Sequence, residues 1–152
     1  MTVTKIISGG QTGVDRAALD VALELGIPCG GWCPKDRLAE DGRIPDKYPL
    51  KETTSKMAAV RTEKNVFEAD ATLVLTIGEP AGGTKQTIEC AKEHAKPHLM
   101  IDLGVTDTRA VAKVNKWIAT NGIATLNVAG PRESQQPGIY ERAAEFLRKV
   151  AQ

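Results

Sequence analysis

The chain has 152 residues, of which 41% are hydrophobic and 26% are charged, and these fractions are ordinary for a folded globular domain. Its formal net charge is +1, and basic residues interleave with acidic ones, so no concentrated basic face indicates nucleic-acid binding. No apolar run approaches the roughly 20 residues of a membrane span, and residues 1–5 look like neither a secretory signal nor a transit peptide. We therefore expect a single domain over residues 1–152, a cytoplasmic location, and no membrane or nucleic-acid partner.

Strand-like apolar segments and helical periods alternate along the chain. The expected strands are Lys5–Ser8, Ile27–Trp32, Ala71–Ile77, His98–Leu103 and Ala124–Val128. Apolar residues spaced three or four apart predict helices over Val14–Leu25, Ser55–Glu68, Ile88–Ala95, Val111–Ile118 and Tyr140–Leu147. The alternation predicts an α/β fold with one open parallel sheet and helices on both of its faces.

The helix predicted over residues 55–68 has an apolar and a polar side. Met57, Val60 and Phe67 are expected to face the core. Arg61 and Asn65 are four residues apart and share a face, and we interpret that face as solvated.

The segment Cys33–Leu50 has no clean periodicity and is rich in prolines and charged residues. A long irregular segment in a compact domain is often a lid or a binding loop, and we expect this one to restrict solvent access to a site. Trp32 precedes it, where its indole could stack on a planar heterocycle or serve as half-buried packing.

Cysteines and histidines offer little for a metal site or a disulfide framework. Cys29, Cys33 and Cys90 make an odd number, which argues against a disulfide framework. Cys29 and Cys33 have three residues between them, not the two of a zinc ribbon or redox dithiol. Only His94 and His98 could complete a zinc site, and we predict no metal site.

Three glycine-rich turns each follow a strand-like run. They read Gly9-Gly10-Gln11-Thr12-Gly13, Gly82-Gly83-Thr84-Lys85 and Gly130-Pro131-Arg132-Glu133-Ser134. Each opens or precedes a helical segment, and such a turn exposes backbone N–H groups at the positive end of a helix, where anions bind. In an open parallel sheet, the ligand crevice lies at the carboxyl ends of the strands. The turns therefore predict a pocket for a phosphate-bearing small molecule.

Individual side chains in these turns have distinct expected roles. Thr12 and Thr84 offer hydroxyl donors, Arg132 can form a planar fork on phosphate, and Asp15 can cap N–H groups or face the ligand. The structural alternatives are an ordinary strand–helix turn, a loop that needs positive φ, and a surface salt bridge of Arg132 with Glu133 or a neighbour. The residues predicted to contact the ligand are Gly9, Gly10, Gln11, Thr12, Gly13, Asp15, Arg16, Gly82, Gly83, Thr84, Lys85, Arg132 and Ser134.

Several motifs in this order resemble the molybdenum-cofactor carrier family. They are SGGQTGVDRAALD, GGWCPKDRLAEDG, YPLKET, RTEKNV, AGGTKQT and LNVAGPRESQQPGIY, and the resemblance extends from about Ile6 to Tyr140. That family is similar to the Rossmann-like superfamily of the YpsA-like proteins and the "lonely guy" phosphoribohydrolases. The resemblance implies a single Rossmann-like cofactor-binding domain, assembly into dimers or tetramers, and molybdoenzymes as recipients. It also implies binding of the molybdenum cofactor (molybdopterin), a pyranopterin dithiolene with a terminal phosphate; otherwise the ligand is a nucleotide or another phosphate-bearing molecule.

The sequence departs from the enzymes of that superfamily at the second turn. The phosphoribohydrolases use a PGGxGTxxE turn whose glutamate is catalytic, whereas this chain has AGGTKQTIE. Thr87 holds the position three after Thr84, and Glu89 comes two residues later, about 200° away around a helix. We therefore assign no catalytic residue and favour protective binding of a cofactor. The alternatives are a nucleotide N-glycosidic hydrolase that uses Asp15 or Glu89 as its acid, and a nucleotide sensor without catalysis.

Overall fold

The computed structural model describes residues 1–105 and 107–152 of the chain. In chain order the elements are β1 (Lys5–Ile7), α1 (Val14–Leu25), β2 (Cys29–Gly30), β3 (Trp32–Cys33), a 3-10 helix (Lys35–Arg37), β4 (Leu38–Ala39), β5 (Gly42–Arg43), β6 (Lys51–Glu52), α2 (Ala58–Glu68), β7 (Ala71–Thr76), α3 (Gly82–Glu93), β8 (His98–Asp102), α4 (Ala110–Thr120), β9 (Thr125–Ala129) and α5 (Ile139–Ala151). Within this part of the chain, no helix is long and apolar enough to cross a membrane.

Five strands form one parallel sheet in the order β2-β1-β9-β7-β8. Ile6 of β1 lies opposite Leu126 of β9, and Leu73 of β7 lies opposite Val128 of the same strand. The predicted α/β fold with an open parallel sheet is confirmed. Because β1, β9 and β7 are neighbours and run in the same direction, the turns that follow them start side by side at one edge of the sheet.

The two faces of the sheet differ in polarity. Leu73 and Leu126 point into the main apolar core, which residues of α1, α4 and α5 complete. On the opposite face, Thr72 and Asn127 are buried, and the Asn127 side-chain amide donates to the Thr72 hydroxyl over 3.2 Å. Asn127 borders a small polar space together with Asn65 of α2 and a threonine of α3. Helices therefore cover both faces, and α2 and α3 pack over the polar one.

The orientation of α2 differs from the predicted one: of the three residues expected to face the core, Val60 is half-buried and the other two are exposed. Met57 and Phe67 are 67% and 62% exposed, whereas Asn65 is 2% exposed and Val66 is fully buried. The Arg61 side chain is also largely buried, at 15% exposure. The sheet face beneath α2 is polar, and it therefore takes the polar side of the helix.

Some element ends differ from the predicted ones. The strand predicted over Ile27–Trp32 is divided into β2 and β3, because the chain turns at Gly31 with a φ of +122°. A Cβ at Gly31 would lie 2.3 Å from the carbonyl oxygen of Ser8, so only glycine fits this close approach. α5 begins at Ile139, one residue before the predicted start at Tyr140, and continues to Ala151.

Candidate functional site

The three glycine-rich turns surround a cavity of about 120 Å³. Its lining includes residues of all three turns and of α2: Gln11, Asp15, Arg61, Thr62, Gly83, Thr84, Thr87, Gly130, Arg132 and Gln135. The expected meeting of the turns at one edge of the sheet is therefore observed. We call this space the turn cavity.

Arg61 and Asp15 form the buried side of the turn cavity. Nη2 of Arg61 lies 3.7 Å from Oδ2 of Asp15, which is only 3% exposed. The backbone N–H of Gln11 donates to the same carboxylate oxygen over 3.3 Å. Burial raises the pKa of Asp15 above its ordinary value, although Arg61 opposes the shift. The sequence analysis assigned this arginine to a solvated face, whereas it lines the cavity.

Arg61 also has an unused donor. Its Nε is buried and has no hydrogen-bond partner among residues 1–105 and 107–152. The guanidinium lies against Gly9, where a Cβ would be 2.6 Å from both Nε and Cζ. The absence of a side chain at Gly9 thus makes room for Arg61. The glycine-rich motif alone does not indicate this contact.

The start of α3 forms the opposite side of the cavity. No side chain caps this helix in the described part of the chain, and Gly83 has no atom within 4 Å of the position that a Cβ would take. Thr84 is buried in the first turn, and its N–H donates to the carbonyl of Ala81 over 3.2 Å. Uncapped N–H groups at a helix start favour a negatively charged ligand group. Gly82 and Lys85 are exposed and are not among the described residues that line the cavity.

Two glycines of the first turn contact the protein rather than open space. A Cβ at Gly10 would lie 2.5 Å from Cδ1 of Leu50 and 2.9 Å from Cδ1 of Ile44. A Cβ at Gly13 would lie 2.3 Å from the carbonyl oxygen of Pro131. The absence of a side chain at Gly10 therefore leaves room for the irregular segment to pack on the first turn. At Gly13 it leaves room for the backbone of the third turn.

The carboxylate of Glu40 joins the first and third turns. The Thr12 hydroxyl donates to Oε1, and the Ser134 backbone N–H donates to the same oxygen over 3.2 Å. The Ser134 hydroxyl donates to Oε2 over 2.5 Å, and Nε of Arg132 lies 4.0 Å from that oxygen. Hydrogen bonds from Ser134 and Thr12 hold the pKa of Glu40 below its usual range. Thr12 and Ser134 therefore already contact an anion that belongs to the chain.

The irregular segment is attached to α1 at two further points. Arg16 forms a two-armed contact with Asp41, with distances of 3.0 and 3.2 Å, and its Nε donates to the carbonyl of Gly10 over 3.1 Å. The hydroxyl of Tyr48 donates to Asp20 over 2.6 Å. Arg16 thus binds within the protein, and it lies outside the described lining of the turn cavity.

Arg37 holds the same segment together from within. Its guanidinium donates to four backbone carbonyls, those of Ile44, Pro45, Tyr48 and Leu50, over 2.8 to 3.3 Å. The Arg37 residue is 7% exposed. The segment is therefore an ordered, hydrogen-bonded cover of the first turn; whether it restricts access to a ligand stays a prediction.

The structure also shows the surroundings of Trp32, Glu133 and Arg132, for which the sequence left more than one role open. The Nζ atoms of Lys64 and Lys51 lie 4.4 and 5.6 Å from the ring centroid of Trp32, and its stacking on a ligand stays a prediction. Glu133 accepts hydrogen bonds from the N–H groups at the start of α5. Its carboxylate is thus engaged away from Arg132, which lines the turn cavity.

The remaining titratable groups lie outside the turn cavity. Glu89 borders a separate groove with Glu63 and Cys90 between α2 and α3. Within the described ranges, no cluster of three or more His, Cys, Asp or Glu side chains could hold a metal ion. A larger cavity, of about 540 Å³, lies between α4 and α5 and borders none of the three turns. We favour the turn cavity because all three predicted turns converge on it with two arginines.

Comparisons with known proteins were consistent with the motif resemblance. A family model described as "Circularly permutated YpsA SLOG family" matches residues 6–151. The chain shares 45% sequence identity with a protein whose crystal structure is described as "Putative molybdenum carrier protein" from Syntrophus aciditrophicus SB. The two structures superpose with a TM-score of 0.97, and the match covers 99% of this chain and 96% of that one. No curated protein sequence matches the chain.

Proposed function

The chain belongs to the circularly permutated YpsA SLOG family, and we propose that it binds and carries a phosphate-bearing heterocyclic cofactor, with the molybdenum cofactor as the favoured ligand. The observation that carries this proposal is the convergence of three turns and two arginines on one cavity. The name of the 45% identical crystal structure supports the choice of ligand.

The donors of the turn cavity fit the phosphate end of such a cofactor. The guanidinium groups of Arg61 and Arg132 line the same space. Gly83 adds a backbone N–H at the uncapped start of α3. Thr84, whose own N–H is already engaged, adds its hydroxyl. Charged and backbone N–H donors of this kind bind phosphate oxygens, at roughly 1.5–3 kcal/mol for each hydrogen bond to a charged group.

The size of the cavity limits how much of the ligand it encloses. Its volume of about 120 Å³ corresponds to roughly four water molecules, which is room for one phosphate-sized group. The heterocycle would then extend beyond the cavity. When bound, the molybdenum cofactor supplies a redox-active metal dithiolene, which a carrier keeps for an enzyme that uses it. Arg61, Arg132 and Thr84 would hold and orient its phosphate.

A direct test is the composition of the protein purified from a host that makes the molybdenum cofactor. We expect molybdenum and one organic phosphate to co-elute with the chain, as measured by inductively coupled plasma mass spectrometry and phosphate analysis. If the purified protein carries neither molybdenum nor organic phosphate, while the molybdoenzymes of the same cells contain their cofactor, the proposed ligand is wrong. Assembly into dimers or tetramers and delivery to a molybdoenzyme stay predictions; light scattering after size exclusion measures the first.

A hydrolase remains the second candidate because of Asp15 alone. Asp15 is a buried carboxyl with a raised pKa inside the turn cavity, as a general acid requires, whereas Glu89 lies in another groove. Incubation with nucleoside monophosphates separates the two functions. Release of free base and ribose phosphate, abolished in Asp15→Asn, would favour the hydrolase; intact nucleotides favour the carrier.

A further inference from the structure

The carboxylate of Glu40 is held as a bound anion would be held. Three hydrogen-bond donors converge on its two oxygens, namely the Thr12 hydroxyl and the N–H and hydroxyl of Ser134. The Arg132 guanidinium lies beside them, 4.0 Å away. The Glu40 side chain is 21% exposed, so it reaches this position from the solvent side.

We propose that Glu40 is a built-in competitor for an oxyanion: a phosphate-type group binds to Thr12, Ser134 and Arg132 only after Glu40 has left them. A tetrahedral oxyanion offers acceptor oxygens to the same donors. Two anions cannot share these donors at hydrogen-bond distance, because like charges at that separation repel. Only Arg132 of these three residues belongs to the described lining of the turn cavity, so the inference concerns an oxyanion position beside that cavity. It rests on the proposed function only for the identity of the natural ligand.

The part of the chain that would move is the tip of a small hairpin. Glu40 and Asp41 connect β4 to β5, and the backbone N–H of Glu40 donates to Oε1 of Gln11 over 2.9 Å. The base of the hairpin is fixed by Arg37 through the backbone carbonyls that follow β5. Departure of Glu40 together with its N–H therefore releases Gln11, Thr12 and Ser134, whereas Arg16 still holds Asp41 and Arg37 still holds the base.

A purely structural role for Glu40 makes a different prediction. If Glu40 only clamps the hairpin, its removal lowers stability and leaves anion affinity unchanged. If Glu40 competes, its removal frees Thr12 and Ser134 and raises anion affinity. Affinity for a simple anion therefore separates the two roles.

The test is isothermal titration calorimetry with inorganic phosphate on the wild type, Glu40→Ala and Glu40→Gln. We expect both variants to bind phosphate at least tenfold more tightly than the wild type. Glu68→Ala removes an exposed carboxylate at the end of α2 and should bind phosphate like the wild type, which controls for the change in net charge. Adding Ser134→Ala to Glu40→Ala should reduce the gain, because one of the freed donors is then absent.

Equal phosphate affinity in the wild type and both Glu40 variants would overturn the proposal. Hydrogen exchange on the unmodified protein provides a second measurement in case a variant does not fold. Saturating phosphate should increase exchange at the Glu40 amide, and unchanged exchange there would also overturn the proposal. A gain in phosphate affinity without any molybdenum in the host-purified protein would leave this inference standing and remove the proposed ligand.

Discussion

Arg61 and Asp15 connect two helices that flank the sheet edge: Nη2 of the arginine on α2 lies 3.7 Å from Oδ2 of the carboxylate on α1. Asp15 belongs to the first turn of α1, directly after the glycine-rich turn. Arg61 comes from the helix that covers the polar face of the sheet. The pair therefore joins the first turn to α2 and places a fixed positive charge in the turn cavity.

The buried carboxyl of Asp15 should make stability depend on pH in a defined direction. Its pKa is raised above 3.8 in the folded chain, mainly by burial, so the folded state binds the proton more tightly than the unfolded state does. The resulting stabilisation is fully present below pH 3.8 and is lost as the pH rises through the folded pKa. Relative to Asp15→Asn, the wild type should therefore lose melting temperature as the pH rises above 3.8.

Differential scanning fluorimetry of both proteins over about pH 4 to 8 measures this difference, in which the titration of other groups largely cancels. A wild type that gains stability over Asp15→Asn as the pH rises would contradict the assignment of burial as the main cause.

Gly10 and Gly83 should respond in opposite ways to alanine. Gly10 has a φ of +77°, and a Cβ there would meet Leu50 and Ile44, so Gly10→Ala should destabilise the fold by at least roughly 1–2 kcal/mol. Gly83 has open space at its Cβ position in the first turn of α3. Gly83→Ala should keep the melting temperature or raise it slightly, because alanine favours helix over glycine.

Thermal unfolding of the two variants checks this contrast. If Gly10→Ala were as stable as the wild type, the packing of the irregular segment against the first turn would be wrong. Phosphate affinity adds a second comparison. Gly83→Ala should weaken phosphate binding if the ligand approaches the backbone at the start of α3.

Arg37 should be essential for the order of the irregular segment. Lysine keeps the charge but cannot donate to all four of the carbonyls that Arg37 contacts. Loss of two hydrogen bonds from a charged donor, at roughly 1.5–3 kcal/mol each, gives a cost on the order of 3 kcal/mol for Arg37→Lys. That cost corresponds to a fall in melting temperature of about 6–12 °C for a chain of this size.

Arg43→Lys is the matched control, since Arg43 lies in the same segment with 59% of its side chain exposed and a surface contact to Asp46. It should change the melting temperature little. Hydrogen exchange locates the effect, because only Arg37→Lys should increase exchange across residues 33–50. Equal protection in the two variants would mean that the carbonyl contacts of Arg37 do not order the segment.

The sheet and the meeting of the turns could be predicted because they follow from local patterns. Apolar runs identified the strands that form the sheet, and strands that run in parallel place their carboxyl ends at one edge. Ala71–Thr76 is fully buried, as its apolar sequence indicated. The position of the candidate site thus depended on topology, which the alternation of elements predicts.

The residues that complete the site were harder to predict because they depend on which face of an element is polar. Met57 and Phe67 made one side of α2 look like its core side, yet the sheet beneath α2 carries Thr72 and Asn127. The only available signal for Arg61 was its shared face with Asn65, and that pattern is equally typical of a solvated surface. Glu40 lies in a segment without periodicity, so no spacing pointed to its partners.

The central claim, that the turn cavity binds an anionic ligand, is tested most directly by native mass spectrometry of the protein purified from its own host. The wild type should retain a phosphate-bearing heterocycle. Arg132→Ala should weaken binding of that ligand at least tenfold while circular dichroism shows an unchanged fold, and Arg109→Ala, which changes an arginine that is 90% exposed, should retain the ligand. Equal retention by Arg132→Ala and the wild type, or a wild type that carries a ligand without phosphate, would contradict the account.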